Sequence, residues 1–516
     1  MSSNRRDGGP RLGLRAGLAL ALLLGFYVLA LALMAALFGF FAVVALAIGA
    51  GDLPPGSALL AGLAVGCGFA VVGGVLQSVR VVTAEIPAGI AVRPADQPRL
   101  WEAVRDLAAE VGAPAPDEIR LVPGVNAFVT QETRLLGLVK GKVILGVGLG
   151  LLSVVDRAGL RAVLAHEFGH ISGGDTRLGP MIHRAGTAIQ RTVEYLERDE
   201  RFFKKGVAQV FRAYHRLFRR TTTAVSRAQE RAADRASVRV AGAPAAVRAL
   251  ETIGVAAPAF GFFADRYVVP AWERGRWPED MYGGFRAFYA DPGRREEFDQ
   301  AREVVLAAET GRADSHPSIG DRIRLITAMD EPRPGPGPAG EEEPAWGLLT
   351  GRAEAEMALF AARTATGADG LKPITWERAA DEVFGKLAAG AARTVGSAAI
   401  AIGGSWDRGG PDQVLALLAA GRGAELAEHL DASGDGEMFY PVRAVLAAEI
   451  VERHGGHWAV SWSGPTAVHW PGTPLDELVR LALEGPQGLA AVRAELGLPD
   501  APLRELPPLS REAVDA

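Results

Sequence analysis

The chain has 516 residues, of which 49% are hydrophobic and 22% charged, and its formal net charge is -5. This length is sufficient for two or three domains, and the small excess of acidic residues argues against a nucleic-acid partner. Because Cys67 is the only cysteine, no intramolecular disulfide can form.

The N-terminal region is strongly apolar. No charged residue occurs between Arg15 and Asp52, and residues 57–79 form a second uncharged stretch. A membrane-spanning helix needs about 20 apolar residues, so we predict a two-helix transmembrane hairpin over residues 16–80, behind a short segment of residues 1–15. The first stretch is too long for the apolar part of a cleaved signal peptide, and we interpret it as one long or tilted helix.

The charges that flank this hairpin predict its orientation. Four arginines precede the first helix and Arg80 follows the second, whereas the connecting loop contains Asp52 and no lysine or arginine. The positive-inside rule therefore places both ends in the cytoplasm. We expect a multi-pass protein of the inner (cytoplasmic) membrane, with the lipid bilayer as a partner and the remaining chain facing the cytoplasm.

Short strands are predicted after a helix over residues 97–111, at residues 118–122 and 143–147. The second strand is a candidate exposed edge beside the helix that follows it. A substrate peptide could add to such an edge as an extra strand; the residues concerned are Val143, Ile144, Leu145, Gly146 and Val147. The alternative is an ordinary strand with partners on both sides.

The pattern HEFGH at residues 166–170 lies in a predicted helix that begins after Asp156, a typical N-cap residue. His166 and His170 are four residues apart, so they share a helical face and can bind one metal ion, while Glu167 can reach a water on that metal. This is the minimal set for zinc-dependent hydrolysis of a peptide bond. The alternative is a helix with two core histidines.

A third metal ligand must come from elsewhere, because Thr176 stands where the extended motif HExxHxxGxxH has its third histidine. The segment 226–236 offers Glu230 and Asp234, which are four residues apart and share a helical face. Glu230 could bind the metal while Asp234 accepts a hydrogen bond from a ligand histidine. Alone, this arginine-rich segment favours a solvated helix; beside HExxH we favour the ligand.

Between these two segments, charged residues interrupt residues 183–220 and argue against further membrane spans. Phe211, Tyr214 and Phe218 nevertheless recur at helical spacing among basic residues. Such a helix can lie on an anionic membrane surface or pack its aromatic side chains into the core. We favour core packing.

Proline, glycine and glutamate dominate residues 331–345, which predicts a linker without helix or strand. This linker would separate residues 81–330 from a second, mainly helical domain of residues 346–516. Residues 457–470 of that domain are predicted to form a β-hairpin. No residue pattern in the second domain indicates a chemical function, and its role is not predicted.

Several segments, in the same order along the chain, resemble the HtpX-like and CAAX-prenyl-endopeptidase-like membrane zinc metallopeptidases, a gluzincin family. The matching segments are residues 125–128, 141–149, 164–170 with Asp175 and Thr176, 230–234 and 315–323. The resemblance covers roughly residues 97–329 and, in a general way, the membrane anchor. Several relatives carry additional spans between the HExxH and ExxAD segments, and this chain does not.

The resemblance implies an α+β, predominantly helical, zincin-type metalloprotease domain with a small sheet, over residues 81–330. It implies one zinc ion per chain, bound by His166, His170 and Glu230, with Glu167 as the catalytic base and Asp234 supporting a ligand histidine. In relatives a histidine in the last segment approaches the metal. His316 is therefore a candidate for oxyanion stabilisation or regulation, and the alternative is a structural role.

We therefore expect a membrane-anchored zinc endopeptidase that cleaves protein or peptide substrates, in membrane protein quality control. A competing hypothesis is a membrane-tethered, non-catalytic binding or scaffold protein with a structural or decayed zinc site. A specific CAAX-processing enzyme would need a prenylated substrate, which nothing in the sequence indicates. The oligomeric state, including a homo-oligomer, stays open.

Overall fold

A computed structural model describes residues 9–79, 89–134, 139–172, 178–197, 202–310, 317–329, 340–364, 370–403, 410–430, 438–464 and 466–498. The chain divides into two compact units. The first unit comprises Met1–Phe260 and Glu296–Gly367, and the second comprises Gly261–Arg295 and Ala368–Ala516.

Helices dominate the described residues, as predicted, and the strands are short. The helices of the first half are α1 Gly9–Ala50, α2 Ala58–Val79, α3 Pro98–Val111, α4 Leu149–Val154, α5 Arg157–Ser172, α6 Leu178–Glu197, α7 Phe202–Ala241 and α8 Ala243–Phe263. Those that follow are α9 Val269–Trp272, α10 Met281–Tyr289, α11 Arg295–Ala307, α12 Ile319–Thr327, α13 Arg352–Thr364, α14 Trp376–Ala379, α15 Lys386–Gly403, α16 Gly410–Ala419, α17 Gly423–His429, α18 Phe439–Arg453, α19 Leu475–Leu483 and α20 Pro486–Glu495. The strands are β1 Ile90–Val92, β2 Glu118–Val122, β3 Ala127–Arg134, β4 Val139–Gly148, β5 Arg276–Pro278, β6 Lys372–Ile374, β7 His457–Ala459 and β8 Ala467–His469.

The sheet of the first unit has the strand order β1-β2-β4-β3, in which β2 and β4 are parallel and the other neighbours antiparallel. Strand β4 is therefore internal. Ile144, for example, pairs with Glu118 on one side and Thr130 on the other. The prediction that residues 143–147 form an exposed substrate-binding edge is wrong.

The physical reason is visible in the sequence of β4. Val143, Ile144, Leu145, Gly146 and Val147 are all buried, and a continuous apolar run is typical of a strand that is covered on both faces. Within the described sheet, the outer position beside β4 belongs to β3.

Helices α1 and α2 form a hairpin, and the rings of Phe38 and Phe69 meet edge to face at 5.6 Å. By length and composition, Ala21–Ala50 is able to cross a membrane, and Ala58–Gly73 is a shorter apolar helix. A further stretch, Ala243–Trp272, passes the same length and composition test with a third of its most apolar window buried. Sequence analysis had not identified that stretch.

Helices α6 and α7 pack against this hairpin. Phe211 and Phe218 of α7 are fully buried in a cluster that includes Phe26 of α1 and Val71 of α2. The hydroxyl of Tyr214 donates a hydrogen bond to the carbonyl oxygen of Leu22 at 2.5 Å. The aromatic stripe is therefore packed, as we favoured, but its partners are the N-terminal helices.

The borders of the two units differ from the predicted domain boundary at residue 346. Trp346 and Leu348 are buried within the first unit, although they follow the predicted linker. Conversely, Gly261–Arg295 belongs to the second unit. An aromatic cluster explains this, because the ring of Tyr267 lies 5.1 Å from that of Trp462.

The second unit has its own apolar core. Val442, Leu446 and Ile450 of α18 are fully buried there, together with residues of α15, α16 and α19. Strands β5 and β6 pair in parallel, and β7 and β8 pair as an antiparallel hairpin in the predicted position. This core is independent of the metal-binding motif.

Candidate metal centre

Small residues allow α5 and α7 to approach closely. A Cβ atom on Gly169 would lie 2.9 Å from the Cα atom of Ala233 and 3.2 Å from the Cβ atom of Ala236. The hydroxyl of Ser237 also donates a hydrogen bond to the carbonyl oxygen of Ala162 at 2.8 Å. This contact brings the HEFGH face of α5 opposite the acidic face of α7.

Two histidines and one glutamate converge at this contact. The Nε2 atoms of His166 and His170 are 3.2 Å apart. The Glu230 carboxylate lies 3.6 Å from Nε2 of His166 and 3.9 Å from Nε2 of His170. The three ligand atoms thus lie within 4.8 Å of one another.

This donor set fits a zinc ion. A tetrahedral site with bonds of about 2.0–2.1 Å has ligand-to-ligand edges of about 3.3–3.4 Å, near the separations seen here. His166 and Glu230 are buried and His170 is partly buried. Burial of a carboxylate between two imidazoles is costly without a cation or protons to compensate it, so the arrangement favours metal binding.

Asp234 lies behind His166, one turn of α7 beyond Glu230. Its Oδ1 atom is 3.0 Å from Nδ1 of His166 and 2.6 Å from Nη2 of Arg322. Burial alone would raise the pKa of Asp234, but hydrogen bonds from His166 and Arg322 outweigh it and hold the pKa below its usual value. An ionised Asp234 can accept the Nδ1 proton of His166, which leaves Nε2 free to bind a metal.

Arg322, on α12, is the site residue whose role sequence analysis missed. Its Nη2 atom also lies 3.0 Å from Nδ1 of His166, so the guanidinium contacts both members of the histidine–aspartate pair. The signal was present, because Arg322 belongs to the segment 315–323 that resembles the peptidase family. Without the fold, nothing in its position indicated contact with Asp234.

Glu167 points between α5 and the sheet. Burial raises the pKa of its carboxyl, whereas the positive charge of His166 and a hydrogen bond from the backbone N–H of Val129 lower it in part. Val129 lies on β3. The strand beside the expected catalytic base is therefore β3, and not β4 as predicted.

A cavity of about 190 Å³ adjoins the site. His166, Glu167, Asp234 and Arg322 contribute its polar wall, and the remaining wall is mainly apolar: Val125, Ala162, Val163, Ala246, Ala249, Leu250, Ile253, Ile319 and Ile326. The other predicted site residue, His316, lies outside the described residues. Asp175 and Thr176 do so as well.

Comparison with known proteins locates the similarity in the same region. Residues 94–330 match the family model described as Peptidase family M48. A "Protease HtpX homolog" of Chlorobium phaeobacteroides (strain BS1) is 40% identical over 86 residues, which are 16% of this chain and 26% of that protein. The same name is printed for a protein of Sulfurihydrogenibium sp. (strain YO3AOP1), 30% identical over 176 residues, which cover 31% of this chain and 57% of that protein.

A "Protease HtpX" of Haemophilus influenzae (strain PittEE) is 39% identical over 89 residues, which are 17% of this chain and 29% of that protein. The chain thus spans from about a quarter to just over half of the length of these curated relatives. No solved structure shows significant similarity to the chain.

Proposed function

Residues 94–330 belong to the HtpX-like Peptidase family M48, and we propose that the chain is a membrane-anchored, zinc-dependent endopeptidase. The observation that supports this most directly is the convergence of His166, His170 and Glu230 on one point. These three side chains would hold one zinc ion per chain and leave a fourth position for water.

Zinc bound there would act as a Lewis acid toward the scissile carbonyl and would lower the pKa of a bound water to about 7. Glu167 would take the proton of that water and return it to the leaving amine. Asp234 and Arg322 would hold His166 in the tautomer and orientation that a metal ligand needs. In this proposal the raised pKa of Glu167 brings the carboxyl closer to the range in which it can both accept and release a proton.

The substrate would bind as an extended peptide along β3. This strand pairs with β4 through one side only and contributes Val129 next to Glu167. Backbone hydrogen bonds to a sheet edge bind many sequences, which suits an enzyme with varied protein substrates. The edge-binding hypothesis is thus retained, but it moves from residues 143–147 to β3.

The apolar hairpin α1–α2 would anchor this site to the inner membrane, with the catalytic residues on the cytoplasmic side, as the flanking arginines predict. Damaged or unassembled membrane proteins are the natural substrates of a protease held there. We therefore propose a role in membrane protein quality control.

The deciding experiment compares wild type and Glu167→Gln with a matched control, Glu194→Gln, at an exposed glutamate of α6. All three purified proteins should contain one zinc ion by elemental analysis. Cleavage of casein should fall by about 10²–10⁴-fold in Glu167→Gln only, as expected for loss of a general base. Chelation should abolish cleavage in the other two.

Cleavage at the wild-type rate by Glu167→Gln would remove that residue from the catalytic role. A protein that contains zinc, folds normally and cleaves nothing even with Glu167 present would favour the competing scaffold hypothesis. In that case the site would be structural or decayed.

A further inference from the structure

The second unit contains a cleft of about 250 Å³ that the proposed peptidase chemistry does not use. Two short π-helical turns, Ala264–Val268 and Ala380–Gly385, contribute to its lining together with α15, α18 and the β7–β8 hairpin. A π-helical turn replaces the favourable α-helical hydrogen-bond pattern and often occurs at functional sites. Here both turns border the same cleft.

The floor of the cleft is aromatic and held in place. A Cβ atom on Gly385 would lie 2.5 Å from Cδ1 of Trp458, so only the absence of a side chain lets the indole lie against the turn. The hydroxyl of Tyr267 donates a hydrogen bond to the carbonyl oxygen of Ser461 at 2.7 Å. The ring of Tyr267 also meets that of Phe384 at 5.9 Å, edge to face.

The rim of the cleft exposes apolar surface. Tyr440 is 62% exposed and Leu387 is 40% exposed. Both lie beside the aromatic floor. Tyrosine provides a large contact area at a low cost in conformational entropy, which is why it is enriched where proteins bind peptides and other proteins.

The cleft is also positively charged. Arg266 and Arg443 line it, and no aspartate or glutamate appears among the described lining residues. Arg443 is already engaged, because Nε contacts Asp476 at 2.7 Å and Nη1 donates to the carbonyl oxygen of Thr466 at 3.0 Å. Arg266 is exposed and forms no ion pair within the part of the chain that the structure describes.

We propose that this cleft binds a polypeptide segment that presents one large apolar side chain next to a single carboxylate. The apolar side chain would lie on Phe384 and Trp458, and the carboxylate would pair with Arg266. The cleft is smaller than the roughly 300–1,000 Å³ of sites that enclose drug-sized ligands, so it accommodates one anchoring residue and its neighbour.

The charge balance distinguishes this ligand from phosphate compounds. One uncompensated arginine matches one carboxylate, whereas a phosphate group brings a charge of about −1.5 to −2. The carboxylate can be an aspartate or glutamate side chain or a free C-terminus, since the chemistry at Arg266 is the same. The inference does not depend on peptide cleavage, because none of these residues belongs to the metal centre.

The test measures binding of fluorescent decapeptides by anisotropy, with full-length Glu167→Gln protein in detergent and excess chelator. Four peptides share a central phenylalanine: one followed by aspartate, one by asparagine, and one ending at phenylalanine with either a free carboxylate or an amide. We expect the two carboxylate peptides to bind at least about tenfold more tightly than their neutral partners. The chelator excludes cleavage, so failure of the proposed peptidase function cannot mimic failure of this binding.

Arg266→Gln should remove that tenfold preference, and Arg266→Lys should restore part of it. Arg480→Gln, an exposed arginine of α19 outside the cleft, is the matched control and should bind like the parent protein. If Arg266→Gln does not fold, Tyr440→Ala should weaken all four peptides at this exposed position without a charge effect. Equal binding of charged and neutral peptides, or displacement by phosphate or anionic vesicles at lower concentration than by free peptide, would overturn the proposal.

Discussion

The two ends of helix α5 are held by contacts of very different kinds. At its C-terminal end, His166 and His170 face Glu230 across a close contact between Gly169 and Ala233. At its N-terminal end, α5 is held by an acidic segment, residues 340–345, that follows much later in the chain. The first contact joins two sequence motifs, whereas the second could not be inferred from any motif.

At the N-terminal end, backbone groups form most of the contact. The carbonyl oxygens of Glu343 and Glu341 accept hydrogen bonds from the N–H groups of Arg157 at 2.9 Å and Ala158 at 3.0 Å. Oδ1 of Asp156 accepts another from the N–H of Gly159 at 2.6 Å. The N–H groups of a first helical turn have no partner within the helix, so this segment satisfies them.

Removing the carboxylate of Glu230 should have the largest effect. Glu230→Gln preserves shape but offers the metal a neutral and weaker ligand. Zinc affinity should therefore fall by more than the roughly 100-fold that follows the loss of an outer-shell partner. Competition with a chromophoric chelator measures it, and Arg231→Gln, next to it on the exposed face of α7, is the control. Unchanged affinity would show that the metal is held elsewhere.

Arg322→Met should come next, because it leaves Asp234 buried without its cation. Removing one member of a buried ion pair costs roughly 3–5 kcal/mol of unfolding free energy, and side chains 17% and 2% exposed are only weakly screened. Zinc affinity should also fall by about 10–100-fold. Denaturant titration and zinc competition measure the two effects.

The matched control is Arg324→Met, two residues along α12. Its partner is Asp321, and the two side chains are 55% and 30% exposed. A surface pair of this kind contributes at most about 1 kcal/mol. Equal losses in the two variants would mean that Arg322 has no special relation to the metal centre.

Gly169→Ala tests the close helix contact itself. The added methyl group would be forced against the backbone of Ala233, and such overpacking costs about 1–3 kcal/mol. Gly206→Ala on α7 is the control, because its Cβ atom would meet nothing within 4 Å. There the higher helix propensity of alanine should raise stability, by up to about 1 kcal/mol. Opposite signs in a thermal unfolding assay would support the contact.

These cases show which features the sequence could predict. The metal helix, the ligand candidates and the internal hairpin α1–α2 follow from local periodicity, spacing and apolar length. Whether β4 is an edge or an internal strand depends on which strands pair with it, and that is a long-range property. The same holds for Arg322, for Gly261–Arg295 joining the second unit, and for residues 340–345 binding α5.

The smallest effect is expected at the ion pair of that N-terminal contact, where Arg157 and Glu343 are 2.7 Å apart. Their side chains are 24% and 60% exposed, so water and salt screen the attraction. A double-mutant cycle with Arg157→Gln and Glu343→Gln should give a coupling energy below about 1 kcal/mol that decreases with added salt. Zinc affinity should not change, because the backbone hydrogen bonds remain in all variants. A coupling above about 2 kcal/mol, or a loss of zinc in any variant, would mean that the acidic segment controls the metal centre through α5.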